Sequence, residues 1–259
     1  MASALYLYAV VPDTGQLEWG RIGIENEAVT AVTEAGLAAL VHNVPSGLPY
    51  TGSDEQVKAW ALDHGRVVER AWEAAGTILP VTFDVLVKGD EGDSAHRRLR
   101  RWLREEHGAL AEKLDRLRGR VELRVEVDLP GPDPAAAAAS ASGGAARLLE
   151  KRREMAHRQE LEQRADAMYE SIRRQMTMCA DDIVELRRRR PSTGTPVCAL
   201  SLLVTRDRID EVGLELARLQ VEQPDAQIRF LGPWPPYSFS DVRVSTVRAS
   251  GGAGAPEPD

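Results

Sequence analysis

Val-Glu-Leu-Arg-Val-Glu-Val, residues 121–127, alternates apolar and charged side chains at every step. Successive side chains of a strand point to opposite faces, so this one buries Val121, Leu123, Val125 and Val127 and wets Glu122, Arg124 and Glu126. A sheet with one dry and one wet face is antiparallel in character, because parallel crossovers cover both faces. Working back from it, Ser94–Arg118 reads as a helix with Leu99, Leu103, Leu110, Leu114 and Leu117 on one face, stopped at Gly119. Thr77–Val87 reads as a strand rich in β-branched residues, with Pro80 pointing to an edge or a bulge. Ser53-Asp54-Glu55-Gln56 is a capping-box pattern. It opens a helix with Val57, Trp60, Val67, Val68, Ala71 and Trp72 as its stripe, closed at Gly76. Nearer the N-terminus lie a first strand, Leu5–Val11, and a hairpin of Ala28–Thr33 and Leu37–Asn43 around Gly36. The expected fold is α+β, a ferredoxin-like first domain over residues 1–130 with helices on one face of a mainly antiparallel sheet.

Downstream, residues 131–146 are low in complexity and almost uncharged, which reads as a linker. A second α+β domain is expected over residues 147–247. It opens with a long helix, Arg147 to about Arg189, whose stripe is Leu148, Met155, Leu161, Ala165, Met168, Ile172 and Met176. Arg187–Arg190 would complement the dipole of its last turn. A strand (Val197–Thr205), a helix starting near Asp207 and a strand (Gln227–Leu231) follow, with Asp241–Val247 as a last edge strand. Residues 248–259 read as a disordered tail.

The chain has 259 residues, 43% hydrophobic and 28% charged, the balance of a globular protein. Its longest apolar-rich runs, Ala4–Val11 and Val197–Val204, span eight residues each and read as buried strands, well under the ~18 of a membrane span. No membrane is expected as a partner. The N-terminal Met-Ala-Ser-Ala-Leu has no basic stretch and reads as a strand start, not a secretory signal. Cys179 and Cys198 form no C-x-x-C pair, so the cytoplasm is the simplest compartment. A net charge of −7 and a pI near 5.4 argue against nucleic acid as a partner. Basic charge is gathered in one place: residues 147–190 hold twelve Lys/Arg against nine Asp/Glu.

Catalytic patterns are missing. There is no phosphate-cradling G-x-x-x-x-G-K-[ST], no dinucleotide-binding G-x-G-x-x-G between a strand and a helix, no G-x-S-x-G and no H-E-x-x-H. His64 lies on the stripe of its helix beside Asp63, and His107 follows Leu103 by four residues; each reads as a hydrogen-bonded core-edge histidine more readily than as a base or metal ligand. His96 and His107 are ~16 Å apart along a helix, too far to share a metal. The arginines from Arg97 to Arg104 and Arg187–Arg190 could grip an anion, or be solvated faces opposite leucine stripes. No catalytic residue, cofactor, metal or small-molecule substrate is expected.

The strongest local signal is Gly232-Pro-Trp-Pro-Pro-Tyr-Ser-Phe239. Its prolines stiffen the backbone toward polyproline II and forbid a central strand. Trp234, Tyr237 and Phe239 would either plug the core of the second domain or, with Pro235 and Pro236, present a rigid aromatic surface to a partner.

With these residues in view the chain resembles the gas vesicle L/F (GvpL/GvpF) family. GPWPPYSF after an amphipathic helix and an apolar strand is similar to the family's C-terminal signature. LYLYAVVP (Leu5–Pro12), GLAALVHNVP (Gly36–Pro45), the helix around His64, ILPVTFDVLV (Ile78–Val87) and RLRGRVELRVEVDL before the linker match its front half. The resemblance covers about Leu5–Phe239. Thr82 and Asp84 depart from it, standing where Arg and Gly are common, and Leu203 stands where an aromatic is usual. The resemblance implies two α/β units and a non-catalytic accessory or minor structural protein of the gas vesicle, inside the cytoplasm. It would bind the hydrophobic small shell protein and other gas vesicle accessory proteins and limit their aggregation during nucleation and assembly. The alternative is a small-anion-binding protein or enzyme on a ferredoxin-like scaffold, which requires a pocket lined by His64, His107 or converging arginines.

Overall fold

The computed structural model describes residues 4–45, 49–89, 92–131, 144–187 and 194–242, with side chains of the long helix from residue 151 on. The strands are β1 (Ala4–Pro12), β2 (Glu18–Gly20), β3 (Val29–Glu34), β4 (Leu37–Val44), β5 (Leu79–Pro80), β6 (Leu86–Lys88), β7 (Arg120–Leu129), β8 (Asp182–Glu185), β9 (Thr195–Thr205) and β10 (Gln227–Trp234). The helices are α1 (Asp54–Ala75), α2 (Ala95–Glu105), α3 (His107–Leu117), α4 (Gly144–Cys179), α5 (Ile209–Glu222) and α6 (Tyr237–Ser240), with single 3-10 turns at Ile24–Asn26 and Arg206–Arg208. The class is α+β. Two compact units divide the chain: Met1–Arg120 together with Trp234–Asp259, and Val121–Pro233.

The first unit is built on a sheet of order β2-β3-β4-β1-β5, with β6 also paired to β1. The strand pairs are antiparallel throughout. Local chemistry sets its turns and caps. Ala35 and Gly36 both have positive φ, 52° and 79°, the two-residue turn whose twist matches a hairpin, so Glu34 pairs with Leu37. The Ser53 side chain accepts from the Gln56 N–H at 3.3 Å while Gln56 Oε1 accepts from the Ser53 N–H at 3.0 Å, the reciprocal capping box the sequence predicts.

Three expectations for this unit change. Ala4–Val11 is buried at every residue, so the sheet is covered on both faces there, not on one. Thr77–Val87 is not one strand. Pro80 lacks a ladder donor and Asp84 turns the chain at φ 67°, leaving two short pieces, β5 and β6, that pair with β1 at Ala9–Val10 and at Ala4–Tyr6. Ser94–Arg118 breaks at Glu106, whose φ −93° and ψ 6° leave the helical well. His107 restarts the chain as the first residue of α3 and is exposed rather than on the leucine stripe.

The second unit holds a sheet of order β10-β7-β9-β8. β7 contains the Val121–Val127 stretch and buries Val121, Leu123, Val125, Val127 and Leu129 as the alternation requires. The strand joins this sheet, not the first domain's as expected. An alternating strand needs some apolar surface for its dry face, but the pattern does not say which. The boundary therefore falls at Arg120–Val121 instead of residue 130, and Trp234 onward rejoins the first unit instead of closing the second. Nor is the other face of β7 simply wet. Glu122 is buried, with Ser201 Oγ–H donating to its Oε1 at 2.5 Å, and Arg124 pairs with Glu126 at 2.7 Å.

α4 ends at Cys179, and Asp182–Glu185, expected as helix, pairs antiparallel with Leu200–Leu203 of β9. Ala165, Met168, Ile172 and Met176 are buried, whereas Met155 is exposed and Leu161 half-buried. Gly144 to Ala146, expected in the linker, begin α4. The linker from residue 132 to 143, Leu148 of the stripe, Arg188–Arg190, the expected last strand from residue 243 and the tail 248–259 lie outside the described residues and side chains.

Candidate functional site

Gly232 opens the aromatic segment for a steric reason. Its φ is +113°, and a Cβ there would stand 2.8 Å from the Glu122 carbonyl oxygen and 3.2 Å from Leu123 Cδ2, so β10 crosses β7 closely only with glycine. Trp234 ends β10 and is half-buried; Pro235 and Pro236 are buried; Tyr237 is half-buried. The chain then makes a single helical turn, α6, instead of polyproline II. The Tyr237 N–H donates to the Pro235 carbonyl at 2.8 Å and the Phe239 N–H to the Pro236 carbonyl at 3.2 Å.

This turn is a clasp within the first unit. Phe239 is 7% exposed and Ser240 4%. Ser240 Oγ–H donates to the Pro80 carbonyl of β5 at 2.9 Å, and Lys113 Nζ of α3 donates to the Asp241 carbonyl at 2.7 Å. The core that Phe239 plugs is thus the first unit's, not the second's. Of the five candidate partner residues, Trp234 and Tyr237 keep surface in solvent, while Pro235, Pro236 and Phe239 are committed inside.

No motif in the sequence marks a buried Tyr–His cluster of the first unit. Tyr6 and Tyr8, two apart on β1, share one face of the sheet. The Asp84 N–H donates to the Tyr6 hydroxyl oxygen at 3.0 Å, that hydroxyl reaches His64 Nδ1 of α1 at 2.9 Å, and His64 Nε2 reaches the Val81 carbonyl at 3.0 Å. A second chain runs beside it: the Ile24 N–H to the Tyr8 hydroxyl at 2.9 Å, that hydroxyl to His42 Nδ1 at 2.7 Å, and His42 Nε2 to the Tyr50 hydroxyl at 3.0 Å. The partners assign the protons. A carbonyl only accepts, so His64 carries its proton on Nε2 and takes the tyrosine O–H at Nδ1; the same assignment satisfies every group around His42. These bonds suit a neutral imidazole at both positions, the form that burial favours. Burial holds each pKa down at about 4 and pushes both tyrosines up. The signal available in the sequence was the Leu-Tyr-Leu-Tyr alternation inside an otherwise apolar strand.

These histidines are structural, not poised. Two surface hollows, about 350 and 340 Å³, are lined by Trp102, Glu106 and Lys113, and by Glu25, Tyr50 and Trp60 among others. Neither is lined by His64, His107 or an arginine. On α2, Arg101 pairs with Asp93 at 2.8 Å and Arg104 with Glu34 at 2.9 Å, an exposed face opposite Leu99 and Leu103 rather than a convergent anion site. Cys179 and Cys198 are both buried and are not joined in a disulfide.

The family model described as "Gas vesicle synthesis protein GvpL/GvpF" matches residues 4–241, from β1 through the clasp. The chain belongs to the GvpL/GvpF family. Gas vesicle protein L2 of Halobacterium salinarum is 32% identical, over 93% of this chain and 92% of its own. Gas vesicle protein L of a Streptomyces species is 30% identical, over 96% and 97%. The crystal structure of gas vesicle protein GvpF from an Anabaena species shares the fold, with a TM-score of 0.67 at 19% identity over 93% of this chain and 98% of that one. A gas-vesicle-associated role follows from the family. No described helix is long and apolar enough to cross a membrane. The departure at Asp84 also finds its setting: φ 67° is the left-handed region that glycine favours. The Asp84 carboxylate takes a compensating bond from the Tyr50 N–H at 3.1 Å.

Proposed function

We propose that this protein is a non-catalytic accessory or minor structural component of the gas vesicle, acting inside the cytoplasm. It binds the hydrophobic small shell protein and other gas vesicle proteins and limits their aggregation during nucleation and assembly. The family match across residues 4–241 carries this reading. The internal chemistry supports it: the two buried histidines spend both ring nitrogens on neighbours within the fold, leaving neither as a free base. In this reading Trp234 and Tyr237 supply aromatic contact area, held in place by Pro235, Pro236 and Phe239 beneath.

Co-expression pull-down with the shell protein tests it. Tyr237→Ala should lower the melting temperature little and weaken capture, because the half-exposed ring is an anchor rather than core. Unchanged capture by a well-folded Tyr237→Ala variant would place the partner surface elsewhere; no capture by the wild type would end the accessory reading.

A further inference from the structure

We propose that the free edge of β10, residues 227–233, is a strand-addition site that takes one extended apolar segment of the shell protein; the identity of that partner rests on the accessory reading above. β10 stands at the end of the order β10-β7-β9-β8, so one row of its backbone N–H and C=O groups faces no strand among the described residues. Most of its residues are exposed, with only Ile228 and Trp234 intermediate. Phe230 and Leu231, adjacent and hence on opposite faces, are 39% and 40% exposed.

The apolar surface continues onto the neighbouring helix. Leu214 and Val221, seven apart on α5, are 63% and 82% exposed, and the Phe230 ring lies 3.9 Å from where a Cβ of Gly213 would stand. Four of the eight large exposed hydrophobic residues among those described therefore fall between Leu214 and Leu231. Edges are ordinarily guarded by lysine, by a free charge or by a bulge. Here the one charged side chain of the strand, Arg229, is turned to its own sheet by Glu126 at 2.5 Å and Asp128 at 3.8 Å, and Pro233 blocks only the far end.

The occupant follows from size and chemistry. An edge of seven residues cannot bury the ~800 Å² per partner that a stable pair of folded chains needs, which disfavours a second copy of this chain. A single extended segment gains main-chain hydrogen bonds along its whole length and contacts on both faces. Apolar side chains above and below the edge, with its one charge already paired, select a segment apolar on both faces. The strand's one charge, Arg229, already pairs with Glu126 and Asp128, which leaves it less to offer a charged peptide.

The full-length chain, co-expressed with the gas vesicle shell protein, tests the site by two readouts. F230K/L231K changes exposed positions only and should keep its melting temperature while capturing about tenfold less shell protein, the size of a lost binding anchor. In the wild-type complex, amide exchange over residues 227–232 should slow by about tenfold or more relative to the free chain, with little change over β1. Full capture by the variant, or capture with residues 227–232 exchanging as in the free protein, overturns the edge and leaves the accessory reading standing. No capture by the wild type overturns both. Loss of self-association in the variant with shell capture intact would assign the edge to a second copy and overturn this proposal.

Discussion

β1 and β10 are nearly equal in length, nine and eight residues, and each carries apolar side chains toward both faces of its sheet. β1 is buried from Ala4 to Val11, whereas in β10 even Phe230 and Leu231 keep about two-fifths of their surface in solvent. Position in the sheet makes the difference. β1 has β4 on one side and β5 and β6 on the other; among the described residues β10 has β7 alone. A central strand must therefore satisfy every polar atom internally, and Tyr6 and Tyr8 do so through two histidines. An edge strand leaves such groups to water or to a partner. Apolar content alone does not distinguish the two; the neighbours do.

Acid should strike the β1 side hardest. The imidazoles of His42 and His64 are held at about 4 by burial, below the ~6.5 of an unfolded chain. The unfolded state then binds more protons between those values, so stability falls as pH drops from ~6.5 through 4, by on the order of 3 kcal/mol per histidine at the acid limit. Asp84, whose carboxyl burial pushes up, works in the opposite direction. Urea unfolding at pH 7 and pH 4 measures the net change; equal stability at both would show that the imidazoles are charged or solvated, and would end the contrast with β10.

Truncation compares the strands directly. Leu7 is fully buried, and Leu7→Ala should cost ~2–5 kcal/mol. Leu231→Ala should stay within ~0.5 kcal/mol. Comparable losses in denaturant titrations would mean that β10 is as much core as β1. A hydroxyl deletion on β1 probes the polar half of the contrast. Tyr8→Phe keeps the ring but leaves the Ile24 N–H and His42 Nδ1 without their partner, at about 1–3 kcal/mol. A neutral result would show that water replaces the hydroxyl and that the site is wetter than its burial implies.

Much of the local structure was legible because it is written within four residues. The capping box at Ser53–Gln56, the hairpin at Ala35–Gly36, the leucine stripes and the alternation of Val121–Val127 all act over spacings of two, three or four. The family was legible for a related reason, since GPWPPYSF packs several constraints into eight positions. Of the candidate site, the composition of the segment was readable and its docking was not. Ser240 finds Pro80 across 160 residues, and no pattern around either announces the other. The break at Glu106 was hidden by leucines that continue the stripe through it. The Tyr–His chains were hidden by distance too, with Tyr6 and His64 separated by 58 positions.

The sequence by itself determined most of the strands and helices, the apolar face of β7 and of α1, and that no common catalytic pattern is present. Each of these rests on side-chain periodicity and backbone preference, which are properties of neighbours along the chain. Only the tertiary structure decided that β7 belongs to the second sheet, that the chain returns to the first unit after Pro233, that burial favours the neutral form of the two histidines, and that β10 stands at the end of its sheet among the described residues. Those outcomes depend on which surfaces meet. A dry face, a polar tip or an unpaired backbone is satisfied equally well by any suitable partner, so the choice is made by packing over long separations and not by the residues on either side.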